Sequence, residues 1–211
     1  MEIIRINTES PLYAETERIW VESFPENERR DVAAQRSAVD GDVRFFYNAV
    51  IADESAGDSC ASAIPEDQKV QGAGEQRMFC GSFRGVNDFR VIGMISWWAL
   101  DGMIYGEHFA MSPSVRGQGL GEKVFKDVTG KFLDRGLPFV FEVEAPSPDN
   151  SVAARRIRFY ERCGMHLLDH LYFQPPYRKG DAPLPMRLMS SAPSVVPSRA
   201  AALIRTVYPA V

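Results

Sequence analysis

Apolar residues along this chain fall into runs of two kinds, and the spacing inside each run predicts an element. Short alternating or continuously apolar runs predict strands at Glu2–Asn7, Val43–Ile51, Phe89–Leu100, Met103–Met111 and Phe139–Glu144. Leu120, Val124, Phe125, Val128, Phe132 and Leu133 recur at the helical period, and Gly136 and Pro138 end that helix. Further helices are predicted from an N-cap at Ser10 to Phe24, across Asn27–Val39, from Asn150 or Ser151 to Cys163, and over Ser198–Tyr208. Gly164 supplies a left-handed stop, and Met165–Leu168 with Pro185–Met189 predicts a terminal strand pair. Ala52–Gln76 breaks the pattern. It is rich in Ala, Ser, Gly, Asp and Glu, lacks aromatic residues, and reads as a mobile loop inserted between two strands.

The order β-α-α-β-β-β, glycine loop, α-β-α-β, then β predicts an α/β fold, a single mixed sheet flanked by helices. We read residues 1–211 as one domain, with the insertion at 52–76 and a C-terminal extension from about 190. Composition narrows the class. Of 211 residues, 45% are hydrophobic and 25% charged, enough for one sizeable core. A net charge of −4 gives no general attraction for nucleic acid or an anionic membrane. Cys60, Cys80 and Cys163 are odd in number and scattered, which fits a reducing cytoplasm and neither a disulfide framework nor structural zinc. The start of the chain does not read as a signal peptide, and no apolar run approaches membrane-spanning length. The histidines form no metal motif, so no metal is expected.

The densest chemical signal is Val115–Gly121, V-R-G-Q-G-L-G, between a strand and a helix. Gly117, Gly119 and Gly121 free a run of backbone N–H groups, and the helix directs its N-terminal N–H groups at the same turn. Loop and helix together suit a phosphate, although an ordinary glycine turn capping a helix has the same residues. The loop is not a P-loop, because Gly121 is followed by Glu122 and Lys123 by Val124. Its G-x-G-x-G spacing and mid-chain position also differ from the dinucleotide fingerprint.

Two motifs together resemble the GNAT N-acetyltransferase superfamily. The first is Arg116-Gly117-Gln118-Gly119-Leu120-Gly121, matching the family's R/Q-x-x-G-x-G/A between strand and helix. The second is Phe159-Tyr160-Glu161-Arg162-Cys163-Gly164-Met165, matching F/L-Y-E-x-x-G-F with Met for the last aromatic. The resemblance covers roughly Phe89–Leu168. One position departs: the family often has Asn seven residues before the tyrosine, where this chain has Ala153.

The resemblance implies a GNAT-like fold and acetyl-CoA as co-substrate. It implies that the backbone of Arg116, Gly117, Gln118, Gly119, Leu120 and Gly121 takes the pyrophosphate. Phe109, Ala110 and Met111 would pair with the pantetheine arm, one N–H polarising the thioester carbonyl. Tyr160 would protonate the departing thiolate, and Glu107 is the first candidate for the base, with His108 second. Strict alternation puts Glu107 on one face with Tyr105, Phe109 and Met111, and His108 on the other, unless a bulge intervenes. Arg155, Arg156, Arg158 and Arg162 offer charge either to the CoA ribose phosphate or to solvent. Phe24, Pro25, Glu28 and Arg29 fall where this family often shapes its acceptor pocket.

The expected reaction is acetyl transfer to a primary amine by direct attack. The acidic net charge favours a cationic small molecule, with protein amines still open, and a homodimer is compatible with this reading. The alternative is a non-catalytic acyl-CoA-binding or sensor module.

Overall fold

Eight strands share one sheet in the computed structural model, which describes residues 1–53, 89–146 and 151–209. They are β1 (Glu2–Arg5), β2 (Phe45–Asp53), β3 (Phe89–Leu100), β4 (Met103–Met111), β5 (Phe139–Glu144), β6 (His166–Leu167), β7 (Tyr172–Gln174) and β8 (Leu184–Ser190). The path runs β1-β2-β3-β4-β5-β8-β6, with β7 also pairing β8. β4–β5 is parallel, and the other pairs on this path are antiparallel. No helix among the described residues is long and apolar enough to cross a membrane.

The two sheet faces carry separate cores, as alternation along each strand demands. One holds α1 (Tyr13–Ser23), α2 (Val32–Gly41) and α5 (Pro197–Arg205), with Ile19, Trp20, Val39, Ala201 and Ile204 packed near Phe45, Trp98, Tyr105, Val140 and Leu188. The opposite face holds α3 (Leu120–Asp134) and α4 (Ser151–Arg162), with Val124, Phe125, Val128 and Ile157 near Trp97, Phe139, Phe141 and Val143. Neighbours in sequence, Trp97 and Trp98 therefore serve opposite cores.

Several elements differ from the sequence expectations for local reasons. α1 begins at Tyr13, because Ser10 forms a turn in which its carbonyl accepts from the Tyr13 N–H at 2.9 Å and its hydroxyl from the Leu12 N–H at 3.3 Å. The stretch Asn27–Val39 is not one helix. A single 3-10 turn, Glu26–Glu28, is followed by extended Arg29, and α2 then starts where Asp31 accepts from the Ala34 N–H at 2.8 Å. Leu133 ends the apolar stripe of α3 but is 45% exposed. β7 carries too few residues to show a period. Ala52 and Asp53 belong to β2, and the rest of the expected loop, 54–76, lies outside the described residues. Beyond Ser190 the chain contributes to the core through Ala200, Ala201, Ile204 and Tyr208.

Gly106 is required by the close approach of β4 to β5. A Cβ there would overlap the Phe139 ring, which is itself locked among Phe125, Phe132 and Phe141. Gly41, at the end of α2, has open space around it. Gly106→Ala is expected to destabilise the fold by about 1–3 kcal/mol through overpacking. Gly41→Ala should change stability by no more than about 1 kcal/mol. Urea denaturation of both variants checks the contrast; equal effects would contradict it.

Candidate active site

The parallel pairing of β4 with β5 covers only Ile104–Phe139, Tyr105–Val140 and Gly106–Phe141. Beyond Gly106 the strands part. β4 stays paired to β3 as far as Met111, and β5 keeps its other edge paired to β8 from Val140 to Glu144. The stretch Glu107–Met111 thus presents one backbone edge to a cleft, where its polar groups need an external partner. A cavity of about 340 Å³ occupies this cleft, lined by Glu107–Met111 of β4 and Phe141–Glu144 of β5 among others.

The glycine turn closes one end. Gly117 and Gly119 have φ of +79° and +75°, and no atom lies within 4 Å of where their Cβ atoms would be. Gly119 is the N-cap of α3 and no side chain caps it, so first-turn N–H groups remain available to a ligand. Gly121 sits against Met111 and Phe109, so a side chain there would crowd β4. The Arg116 guanidinium turns back and donates to the Met111 carbonyl at 3.0 Å, tying the turn to the strand. These contacts tie Arg116 and Gly121 to the end of β4. Phe109, Ala110, Met111 and Arg116 line the cavity, whereas Gly117, Gln118, Gly119, Leu120 and Gly121 lie in the adjoining turn and are not among its lining residues.

Tyr160 reaches the cleft from α4. Its ring packs 4.4 Å from Phe141 and 4.9 Å from Phe125, centroid to centroid, and burial pushes its hydroxyl up to about 12. The phenol is therefore protonated at neutral pH and able to donate.

The opposite wall is acidic and aromatic. Ser23, Phe24, Glu28, Glu107, His108, Glu142, Glu144 and Tyr177 line it. A β-bulge falls at Glu107, since Ser96 pairs with His108 and Trp97 with Gly106. The bulge corrects the expected alternation. Glu107 shares a face with Tyr105 but not with Phe109 and Met111, which join the α3–α4 core, and His108 turns to the same side as Glu107. His108 Nδ1 lies 3.7 Å from Glu107 Oε2, and its ring meets Phe24 and Trp20 edge-on.

Glu107 is fully buried and paired with the Arg30 guanidinium; Tyr177 donates to the same Oε1 at 3.0 Å. Burial alone would raise its proton affinity, but Arg30 and then His108 outweigh burial and lower the pKa to about 2. Glu142 has no such cation. Tyr105 and Tyr208 donate to its Oε2 at 2.9 and 2.7 Å. Burial pushes its carboxyl up to about 7, against the lowering effect of the surrounding tyrosines and with a further rise from Glu107. Two buried carboxylates in one wall thus differ in proton affinity because only one has a guanidinium.

A family model, "Acetyltransferase (GNAT) family", matches residues 12–165. The chain belongs to the GNAT acetyltransferase family. A solved structure described as a putative acetyltransferase from the GNAT family of Bacteroides thetaiotaomicron is 28% identical, with a TM-score of 0.72 over 98% of this chain and 96% of that one. More distant structures share the fold. An aminoglycoside 6'-N-acetyltransferase complexed with coenzyme A is 14% identical with a TM-score of 0.53, over 90% of this chain and 96% of that one. A spermidine N-acetyltransferase chimera including Vibrio cholerae sequence is 11% identical with a TM-score of 0.54, over 92% and 97%. No curated protein matches the sequence significantly.

Against this acetyltransferase frame, Arg156 is placed differently from the other basic residues of α4. It lines the cavity and pairs with Glu144 at 3.0 Å, while Arg162 donates to the Arg158 carbonyl at 3.1 Å. Ala153 is buried, and Asn150 lies outside the described residues. Sequence reasoning missed Arg30, Glu142, Tyr177 and Tyr208. The alternation of β5 did put Glu142 on its polar side, but nothing local showed that this side faces a pocket. Tyr177 and Tyr208 arrive from distant segments.

Arg30→Met leaves Glu107 buried without its counter-charge, so stability at neutral pH should fall by about 3–5 kcal/mol. The double variant Arg30→Met/Glu107→Gln should recover most of that loss. Glu107's contribution is full above the ordinary carboxylate range and is lost as the pH falls towards 2, because its folded-state pKa is depressed. Denaturant unfolding of both variants measures the coupling. A single variant as stable as wild type would show that the ion pair contributes nothing.

Proposed function

We propose that this acetyltransferase moves an acetyl group from acetyl-CoA to a cationic primary amine by direct attack in the β4–β5 cleft. The observation that carries the reading is the open backbone edge of Glu107–Met111, between a glycine turn and an acidic wall. The turn suits the pyrophosphate, since α3 offers uncapped N–H groups there. The β4 edge suits the amides of the pantetheine arm, and one N–H of Phe109, Ala110 or Met111 polarises the thioester carbonyl. A donor of this kind is worth about 3 kcal/mol in the transition state.

The acceptor enters past Phe24 and Glu28. Burial raises the Glu28 carboxyl, and Glu144 raises it further. Arg30 and Arg156 neutralise Glu107 and Glu144, but Glu142 lacks a cation, so a positively charged amine answers the imbalance. A cavity of about 340 Å³ suits a small molecule better than a folded protein surface. The amine nitrogen attacks the carbonyl carbon, the C–N bond forms, the C–S bond breaks, and Tyr160 gives its proton to the thiolate. Glu107 is already held by Arg30, so the ammonium answers Glu142 rather than Glu107. The low proton affinity of Glu107 also makes it a poor place for the ammonium's proton to rest. The scattered cysteines fit a reducing, cytoplasmic setting.

Thiol release from acetyl-CoA with a panel of amines tests the reading: cationic small amines should raise the rate above hydrolysis. Tight CoA binding with no transfer to any amine would instead favour a sensor. Tyr160→Phe should keep acetyl-CoA affinity and lower turnover by about 10²-fold; unchanged turnover would remove Tyr160 from the mechanism. Gly119→Val forces a side chain into φ of +75° beside the first-turn N–H groups, so KM for acetyl-CoA should rise at least about 10-fold with less effect on kcat. Steady-state kinetics with acetyl-CoA varied will separate the two; an unchanged KM would move the pyrophosphate elsewhere.

A further inference from the structure

Two buried carboxylates of the acceptor wall are joined by tyrosine hydroxyls into one continuous chain. From Glu107 Oε1 it passes to the Tyr177 hydroxyl at 3.0 Å, to Tyr208 at 3.4 Å, and to Glu142 Oε2 at 2.7 Å. Tyr105 joins the far end, 3.0 Å from Tyr208 and 2.9 Å from Glu142 Oε2. Tyr177 lines the cavity, and Tyr208 sits behind it with its ring centroid 4.7 Å away. Glu142 Oε1 is buried without a hydrogen-bond partner, which leaves the carboxyl an unfilled acceptor position.

We infer that the hydroxyls of Tyr177 and Tyr208 relay the acceptor ammonium's proton to Glu142, which stores it during acetyl transfer. The inference rests on the acetyl-transfer reading above. Tyr177 has one proton, nearer to Glu107 at 3.0 Å than to Tyr208 at 3.4 Å, so the relay runs when the hydroxyl turns to Tyr208. Tyr177 has a choice of acceptors: Glu107, already held by Arg30, and Tyr208, which in turn donates to Glu142. As Tyr177 receives a proton from the ammonium it passes its own to Tyr208, and Tyr208 passes its own to Glu142. Each oxygen gains one proton and loses one, so the hydroxyls end neutral and Glu142 becomes an uncharged acid.

The balance closes on the reaction. An ammonium ion must lose two protons to become an amide nitrogen. One goes through the relay to Glu142 and leaves to solvent after turnover. The other leaves the nitrogen as the C–S bond breaks and replaces the proton that Tyr160 gives to the thiolate.

The groups facing Glu142 favour storage. Tyr105 of β4, Tyr172 of β7 and Tyr208 beyond α5 are neutral phenols, each with its proton affinity raised by burial. Glu107, the next charge along the chain, raises the Glu142 carboxyl, and the cation Arg30 lies beyond it. On β8 the register partner is apolar Leu188. A carboxyl titrating near 7 can accept a proton at neutral pH and return it. Tyr208 acts as a relay and positioning residue; its hydroxyl has no place on the reacting atoms.

The test is the pH dependence of amine-stimulated thiol release. Wild type should lose activity as the pH falls through about 7, where Glu142 fills. Glu142→Gln should lose that acid limb and about 10²-fold in turnover. Tyr208→Phe keeps the ring but breaks the chain. It should lose about 10-fold in turnover, leave KM for acetyl-CoA unchanged, and move the acid limb to higher pH by about one unit, because the carboxylate loses a donor. The limb shift reports the lost hydrogen bond to Glu142, and the fall in turnover above the limb, where Glu142 is ionised in both proteins, reports the relay: a merely structural tyrosine would leave that turnover unchanged. Infrared spectroscopy of wild type supplies a measurement independent of variant folding: a protonated buried carboxyl band should be present at about pH 6 and titrate away near 7. Wild-type turnover with an unchanged profile in Glu142→Gln, or no such band, overturns the relay alone. Wild type that releases no thiol with any amine sinks the acetyl-transfer reading and the relay with it.

Discussion

The site depends on the point at which two parallel strands stop pairing. β4 and β5 pair through Gly106 and Phe141 and then diverge, while β4 keeps its other edge on β3 and β5 its other edge on β8. A strand edge inside a sheet is costly to leave without partners. Here the open edge of Glu107–Met111 faces the cleft, and in our proposal a ligand bringing its own amides covers it. The glycine turn and α3 cap one end of the opening, and Tyr160 leans on Phe141, one of the last paired residues of β5. Gly106 permits the close approach that precedes the split, because the Phe139 ring occupies the place of its missing side chain.

The other side of the opening shows how one wall can hold two carboxylates with different chemistry. Both are buried, and burial raises both. The guanidinium of Arg30 reverses the effect at Glu107. The hydrogen bonds to Glu142 among the described residues come from phenols, and such neutral donors offset burial only in part. The tyrosines that join the pair come from β4, from the segment between β7 and β8, and from the end of the chain. Tyr208 backs this wall from behind Tyr177 and lines no part of the cavity itself.

Much of the glycine turn and the helices beside it was legible in sequence because those signals are local. The turn needs glycines at fixed spacing, α3 shows an unbroken helical stripe, and Phe159-Tyr160-Glu161 sits within one helix. The placing of the consecutive β3 residues Trp97 and Trp98 on opposite faces follows from alternation alone. The acceptor end was less legible. The bulge at Glu107 changes which face each later residue of β4 takes, and no period in the sequence marks it. The Arg30–Glu107 pair joins residues 77 positions apart, and Tyr208 meets Tyr105 across 103. Neither Ser10 nor the charged stretch after Pro25 revealed its turn, because backbone bonds there outweigh helix propensity. Separations of this length are set by the tertiary fold and leave no local pattern.

The family relationship is shown by the match over residues 12–165, and the β4–β5 cleft is our proposed place for its thioester. The central claim is that the open edge of β4 and the glycine turn form one acyl-CoA site. A crystal structure of the protein with bound CoA tests this most directly. The account predicts the pyrophosphate on the N–H groups of Gly117–Gly121 and the pantetheine arm along Phe109–Met111. Pyrophosphate bound anywhere else, or an arm that leaves the β4 edge uncovered, would contradict it.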